Sequence, residues 1–218
     1  MRTLSYLLIF LMSLAPAMAS ESILLQATEE FQSITSYSEA LRSFGNSDHI
    51  ISYRYQKPGY VRMDFVKPHK GAALVYRPDT GKVQLRPFGF SKFLKLTMKP
   101  TAKLVLSPSG HRVDESDIGA LLENAQRLAR QGSIEVLREE IKHENPMLVV
   151  KITGEPEALV DGVHSYLLWM DKSLKLPRVV ESYDNQDQLI DGLIIDDLRI
   201  NPVFMRFSIF EKLSFCAD

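Results

Sequence analysis

Cysteine is almost absent from this sequence, which has a single one, Cys216, among 218 residues. A lone cysteine cannot form a disulfide within the chain, so the fold must be stabilised by an apolar core. An excess of one charge is also lacking, because 26 lysine and arginine residues stand against 27 aspartate and glutamate residues. No basic patch indicates nucleic acid as a partner, and no polybasic cluster indicates a membrane anchor.

A hydrophobic run of membrane-spanning length is lacking as well. The run at residues 4–14 is about half the roughly 20 residues that a spanning helix needs. Arg2 precedes it and Ala17-Met18-Ala19 follows it, which is the pattern of a cleavable signal peptide. We therefore expect residues 1–19 to be removed. No cysteine stands at the cleavage site to carry a lipid anchor, so the mature chain is expected to be soluble and not membrane-spanning.

Motifs of catalysis and of cofactor binding are missing too. The sequence has no nucleophile elbow, HExxH, CxxC, phosphate loop or dinucleotide fingerprint. Its five histidines are scattered, without the spacing of metal ligands. We accordingly predict no cofactor, no metal and no catalytic residues, hence no enzyme. A hydrolase remains an open hypothesis that would require a cleft with converging polar groups.

What the sequence does have is a long series of β-strand patterns. Val61, Met63 and Phe65 alternate with polar or aromatic neighbours after the Lys57-Pro58-Gly59 turn, which predicts a strand with one apolar face. Similar patterns, separated by turn residues, predict strands at residues 37–44, 50–56, 72–76, 82–86, 94–98, 104–106, 134–142, 147–153, 165–170, 177–183 and 193–200.

Two amphipathic helices are predicted among these strands. The first covers residues 22–33, and the second covers residues 117–130 with Ser116 as its N-cap and Gly132 at its C-terminal end. No internal repeat or linker divides the chain, so residues 20–218 are expected to form one domain. The fold class is α+β, mainly β, with a single strongly curved antiparallel sheet, an incomplete and open β-barrel covered by the helices. Its apolar interior encloses either a packed core or a cavity.

Several stretches together carry a family pattern. They are residues 56–63 (QKPGYVRM), the strand entry at residues 68–76, the hairpin at residues 181–188 and the Asn-Pro-x-Phe sequence at residues 201–204. With a helix at the N-terminus and a helix between the two halves, they resemble the LolA-like superfamily of periplasmic lipoprotein carriers, in a branch similar to outer-membrane lipoprotein-sorting proteins. The resemblance extends over nearly the whole mature chain.

This resemblance implies an incomplete barrel with a helical lid over a cavity that holds acyl chains. The residues expected to line the lipid-binding cavity are Val61, Met63, Phe65, Leu94, Leu96, Met98, Leu121 and Leu122. In well-studied carriers an arginine before the proline of the corresponding turn hydrogen-bonds the lid. Here Lys57 occupies that position and is the candidate lid latch, although it lacks the planar fork of arginine.

The resulting hypothesis is a soluble periplasmic carrier or chaperone of a Gram-negative bacterium. It would bind the acyl chains of lipoproteins or another lipid and take part in their sorting to the outer membrane, with transport proteins of the inner and outer membranes as possible partners. The alternative is a periplasmic sensor or envelope-assembly interaction module with the same fold, a filled core and no transport role.

Overall fold

The computed structural model describes residues 22–45, 48–87, 94–142, 144–202 and 208–211. Their strands are β1 (Ser36–Phe44), β2 (Ile50–Gln56), β3 (Tyr60–Lys67), β4 (Ala73–Arg77), β5 (Lys82–Arg86), β6 (Leu96–Met98), β7 (Gly132–Lys142), β8 (Asn145–Gly154), β9 (Ser165–Asp171), β10 (Pro177–Tyr183) and β11 (Leu189–Ile200). The helices are α1 (residues 22–33), α2 (Ile118–Ala129) and α3 (Ser208–Glu211). The expected signal peptide, Cys216 and the Val203-Phe204 part of the family pattern lie outside the described residues.

All eleven strands belong to one antiparallel sheet. Its order is β6-β5-β4-β3-β2-β1-β11-β10-β9-β8-β7, so two meanders are joined where β1 pairs with β11. The edge strands β6 and β7 do not pair with each other within the described part of the chain, and the sheet is therefore not closed. This confirms the predicted fold class. No helix among the described residues is both long enough and apolar enough to cross a bilayer.

The inner face of the sheet holds the main core. Alternate residues of the strands pack there with apolar residues of α1 and α2, including Leu24, Ala27, Leu122 and Leu128. The two helices touch each other directly. The Nε2 atom of Gln126 donates to the hydroxyl oxygen of Thr28 at 2.8 Å, and a Cβ at Gly119 would lie only 2.3 Å from the ring of Phe31 on α1.

Asn201, from the family pattern, ties the end of β11 to the start of β1. Its side-chain oxygen accepts hydrogen bonds from the backbone N–H of Thr35 at 2.9 Å and of Ser36 at 3.1 Å. Its own N–H donates to the carbonyl oxygen of Ser36 at 2.8 Å. Asn201 has a φ of 47°, a left-handed conformation that asparagine tolerates better than most residues. The asparagine therefore fixes the junction between α1 and the centre of the sheet.

The helix α2 begins at a different cap from the one predicted. Asp117 is the N-cap, and its Oδ1 atom accepts hydrogen bonds from the N–H groups of Gly119 and Ala120 at 2.8 and 3.2 Å. Ser116 instead donates to the carbonyl oxygen of Val113 at 2.7 Å. Serine and aspartate are both good N-caps. Here the serine hydroxyl is bonded to Val113 in the preceding 3₁₀ turn, so the aspartate takes the cap position.

Two further predictions are wrong. Gly132 does not cap α2. It is the first residue of β7, where a Cβ would lie 1.9 Å from the carbonyl oxygen of Thr153. Residues 104–106 do not form a strand, because Lys103–Val105 is a short 3₁₀ helix. A run of only three apolar residues fits either structure.

The outer face is also partly covered. The short helix α3 packs on β3 and β4, where Phe210 is buried with Tyr60, Ala73 and Val75. Arg62, which alternation places away from the main core, is therefore only 1% exposed. The expectation of a sheet with one apolar face omitted this second small core, since α3 lies almost 150 residues later in the chain.

Candidate functional site

A cavity of about 620 Å³ lies between the inner face of the sheet and the segment that leads into α2. Its size falls within the range of roughly 300–1,000 Å³ that is usual for small-molecule sites. Strands from both meanders contribute to it. The apolar lining residues are Leu41, Ile51, Met63, Phe65, Leu74, Leu85, Leu104, Val105, Leu106, Val113, Ile118, Leu121, Val163, Val180, Leu193 and Ile195.

The structure brings together only some of the residues predicted to line a lipid site. Met63, Phe65 and Leu121 line the cavity. The remaining five lie elsewhere. Val61 and Leu122 are buried in the core, Leu96 and Met98 pack against that core, and Leu94 precedes β6 with 40% of its surface exposed. The assignment of the eight predicted residues to a lipid-binding site stays a prediction.

One wall of the cavity comes from residues 103–118, which the sequence analysis did not associate with the site. This stretch contributes both apolar and polar side chains to the lining. Val105 and Val113 are buried in the core, whereas Leu104 is 63% exposed although it also lines the cavity. The sequence signal for this wall is the apolar triplet at residues 104–106, but that pattern predicts a strand and not a cavity wall.

The N-terminal end of α2 is fixed to the sheet by two buried tyrosines. The backbone N–H of Ile118 donates to the hydroxyl oxygen of Tyr37 at 3.1 Å, and the hydroxyls of Tyr53 and Ser116 lie 3.2 Å apart. Burial raises the pKa of both tyrosines well above the usual value, so these hydroxyls stay neutral. The tyrosines thus hold the helix that covers this side of the cavity.

Lys57 holds the end of α1. Its ammonium donates to the carbonyl oxygens of Phe31 at 3.0 Å and Gln32 at 2.7 Å, in the last turn of the helix. The Nζ atom also lies 5.2 Å from the centre of the Phe31 ring, within the range of a cation–π contact. A cation at a helix C-terminus interacts favourably with the helix dipole. Lysine therefore reaches the helix without the fork of arginine.

We expect Lys57→Ala to destabilise the protein by about 1–3 kcal/mol, because two charge-assisted hydrogen bonds to helix carbonyls are lost. Chemical denaturation measures this change in the free energy of unfolding. Lys57→Arg keeps the charge and serves as the control, with a smaller expected loss. Equal losses for the alanine and arginine variants would contradict a role for the charge at this helix end.

Four acidic side chains, Glu39, Glu115, Asp117 and Asp191, line the cavity, and two of them come from strands of the sheet. Glu39 on β1 is buried, and burial raises its pKa to about 8. Asp191 on β11 accepts a hydrogen bond from the hydroxyl of Ser109 at 3.2 Å, and its pKa is also raised, chiefly by burial. Within the described part of the chain, Oε2 of Glu39 and Oδ1 of Asp191 have no hydrogen-bond partner. The sequence patterns do not predict that Glu39 or Asp191 lines the cavity.

Three histidines also line the cavity. The rings of His49 and His69 have centroids 6.3 Å apart, and each lies 6.4 Å from the ring of Phe65. His111 is a third lining residue. Residues far apart in the sequence thus meet here, although among the described residues no group of three or more histidine, cysteine, aspartate or glutamate side chains could hold a metal ion.

Comparison with solved structures finds several similar chains. An uncharacterised conserved protein from Thermus thermophilus matches with a TM-score of 0.56 and 10% identity, over 89% of this chain and 93% of that one. The lipoprotein LppX from Mycobacterium tuberculosis matches with a TM-score of 0.51 and 9% identity, over 86% and 98% of the two chains.

MucB in complex with MucA(peri) matches with a TM-score of 0.51 and 14% identity. The match covers 91% of this chain but only 60% of that one, so the present chain corresponds to part of the length of MucB. No family model matches the sequence, and no curated protein matches it either. At such identities the likeness is one of fold alone, and it agrees with the single open antiparallel sheet and covering helices of this chain.

Proposed function

We propose that the protein is a soluble carrier or chaperone of the periplasm that shields the acyl chains of lipoproteins or of another lipid in its cavity. The cavity of about 620 Å³, whose lining surface is mainly apolar, is the observation that carries this proposal. Transfer of each acyl methylene out of water contributes about 0.8 kcal/mol. Burial of about six methylenes would then contribute roughly 5 kcal/mol, without any catalytic group.

The lining supports a ligand with a flexible chain. Met63 and Phe65 project from β3 into the cavity, and Leu121 faces them from α2. The unbranched thioether of methionine adapts to different shapes, which suits cargo with variable acyl chains. Transport proteins of the two membranes would deliver and receive this cargo, and sorting to the outer membrane is the process in which we place it.

A charge introduced into the cavity tests the proposal. We expect Phe65→Asp to weaken binding of a fluorescent fatty acyl probe at least tenfold, because the carboxylate would have to be desolvated beside the chain. Val66→Asp is the matched control, since Val66 is the next residue of β3 and is 51% exposed. Titration of the mature protein with the probe, monitored by fluorescence, measures both variants.

Equal binding by Phe65→Asp and the wild type would contradict the assignment of this face to lipid. Absence of any probe binding by the wild type would favour the second candidate, a sensor or envelope-assembly module that acts through a protein partner. The observation in favour of that candidate is the similarity to MucB, whose structure is a complex with MucA(peri).

A further inference from the structure

Glu39 occupies an unusual place for a carboxyl group. It lies on β1, near the centre of the sheet, and its side chain lines the cavity together with Leu41 and Ser43. Only 7% of the residue is exposed. This glutamate stands at an inward position between Tyr37 and Leu41, where a buried polar group is costly unless something pairs with it.

The surrounding groups do not satisfy this carboxyl. Its Oε2 atom has no hydrogen-bond partner within the described part of the chain. Arg178 on β10 and Asp117 at the start of α2 are the charged groups that act on it. The guanidinium of Arg178, however, donates to the carbonyl oxygen of Ile195 at 2.9 Å and lies 3.8 Å from the carboxylate of Asp171.

Two tyrosine hydroxyls that interact electrostatically with Glu39 have other partners at the start of α2. The hydroxyl oxygen of Tyr37 accepts from the N–H of Ile118, and the hydroxyl of Tyr53 lies 3.2 Å from that of Ser116. Glu39 thus lines the cavity with a buried carboxyl oxygen that has no hydrogen-bond partner among the described residues. Buried polar groups are normally hydrogen-bonded, so an exception in the wall of a cavity calls for an explanation.

The backbone is irregular at the same position. The pairing of β1 with β11 shifts register between Ser38, opposite Arg199, and Ala40, opposite Asp196. Asp197, within this bulge, has a φ of 49°. Bulges re-aim side chains and occur frequently beside functional sites. The irregularity lies directly at Glu39, in the centre of the sheet.

We propose that Glu39 is the polar recognition group of the cavity and that its carboxyl group hydrogen-bonds the ester or amide carbonyl of an acylated ligand. This inference rests on the proposed lipid-binding function. With a pKa of about 8, Glu39 is protonated at neutral pH and can donate its O–H group to a carbonyl oxygen. An acyl carbonyl is attached directly to the methylene chain. The chain would therefore pack against the apolar lining while its carbonyl accepts the hydrogen bond from Glu39.

The test compares ligands that differ only in this carbonyl. Dipalmitoyl phosphatidylcholine and its dihexadecyl ether analogue compete at pH 6.5 against a fluorescent fatty acyl probe. We expect the wild type to bind the diester about tenfold more tightly than the diether. Glu39→Leu should lose this preference, whereas Glu39→Gln should keep most of it, because an amide N–H can still donate. An N-palmitoylated dipeptide, whose acyl chain is joined through an amide, is the third competitor. It shows whether the site takes an amide carbonyl or an ester carbonyl.

The outcomes separate this inference from the proposed function. Equal binding of diester and diether by the wild type would overturn the role of Glu39 and leave the carrier intact. Displacement of the probe by none of the three ligands would overturn both. Loss of the preference at pH 9, where the ionised carboxylate cannot donate, would support the inference. A preference that survives in Glu39→Leu would refute it.

Discussion

The Glu39→Gln variant is expected to be more stable than the wild type at pH 8.5, and the difference is expected to disappear toward pH 4.5. Burial is the main reason why the pKa of Glu39 is raised from 4.5 to about 8. The positive charge of Arg178 opposes this shift and the negative charge of Asp117 adds to it. Glutamine has a similar shape and never acquires the charge.

The sign of this pH dependence of stability follows from proton binding to Glu39. Between pH 4.5 and about 8 the folded protein keeps the Glu39 proton while the unfolded chain releases it. The stabilising contribution is complete below pH 4.5 and is lost as the pH rises through the folded value. Each unit of pKa difference corresponds to about 1.4 kcal/mol, so the total change is on the order of 3–5 kcal/mol.

Denaturant unfolding at pH 5, 6, 7 and 8.5 measures the free energy of unfolding of both proteins. The difference between the two values should grow as the pH rises. Glu135→Gln is the matched control, since Glu135 lies exposed on the edge strand β7. Its stability should follow that of the wild type at every pH. Other buried acids such as Asp191 remain in both proteins, so the comparison isolates Glu39. A difference in the free energy of unfolding that stays constant from pH 5 to 8.5 would disprove the raised pKa of Glu39.

Alternation and turn residues were sufficient to predict most of the fold. In β3 the period of two places Met63 and Phe65 on the inner face, and both do line the cavity. The turn at Lys57-Pro58-Gly59 lies between β2 and β3, and that at residues 78–81 lies between β4 and β5. These signals are local. Since hairpins join neighbouring strands, local signals fix each meander and its register.

The pairing of the two meanders was not predictable in the same way. β1 meets β11 across more than 140 residues, and no local pattern records that register or its bulge at Glu39. The cavity wall at residues 103–118 was missed because its conformation depends on packing against the sheet. One signal was available. Within Tyr37, Glu39 and Leu41, a charged residue takes an inward position, and such a break in the pattern marks a functional candidate.

The second large change in stability is expected from a substitution on the outer face of the sheet. Arg62, buried beneath α3, donates from Nε and Nη2 to the two carboxylate oxygens of Asp64, both at 2.7 Å. Its Nη1 atom donates to the carbonyl oxygen of Ile209 at 2.9 Å. We expect Asp64→Ala to lower the free energy of unfolding by about 3 kcal/mol, because a buried cation loses its bidentate partner. Denaturant unfolding at pH 7 measures the loss.

The pair of half-buried Arg77 and exposed Asp79 provides the control, because it has the same spacing in the sequence and a similar contact of 2.6 Å. Asp79→Ala should change stability little, since solvent already screens that pair. If both substitutions cost the same, burial of Arg62 is not the cause. The double variant Arg62→Met, Asp64→Ala should regain part of the stability lost in Asp64→Ala, because it removes the buried charge together with its partner. A double variant less stable than Asp64→Ala would show instead that the contact of Arg62 with Ile209 contributes more than the isolated charge costs.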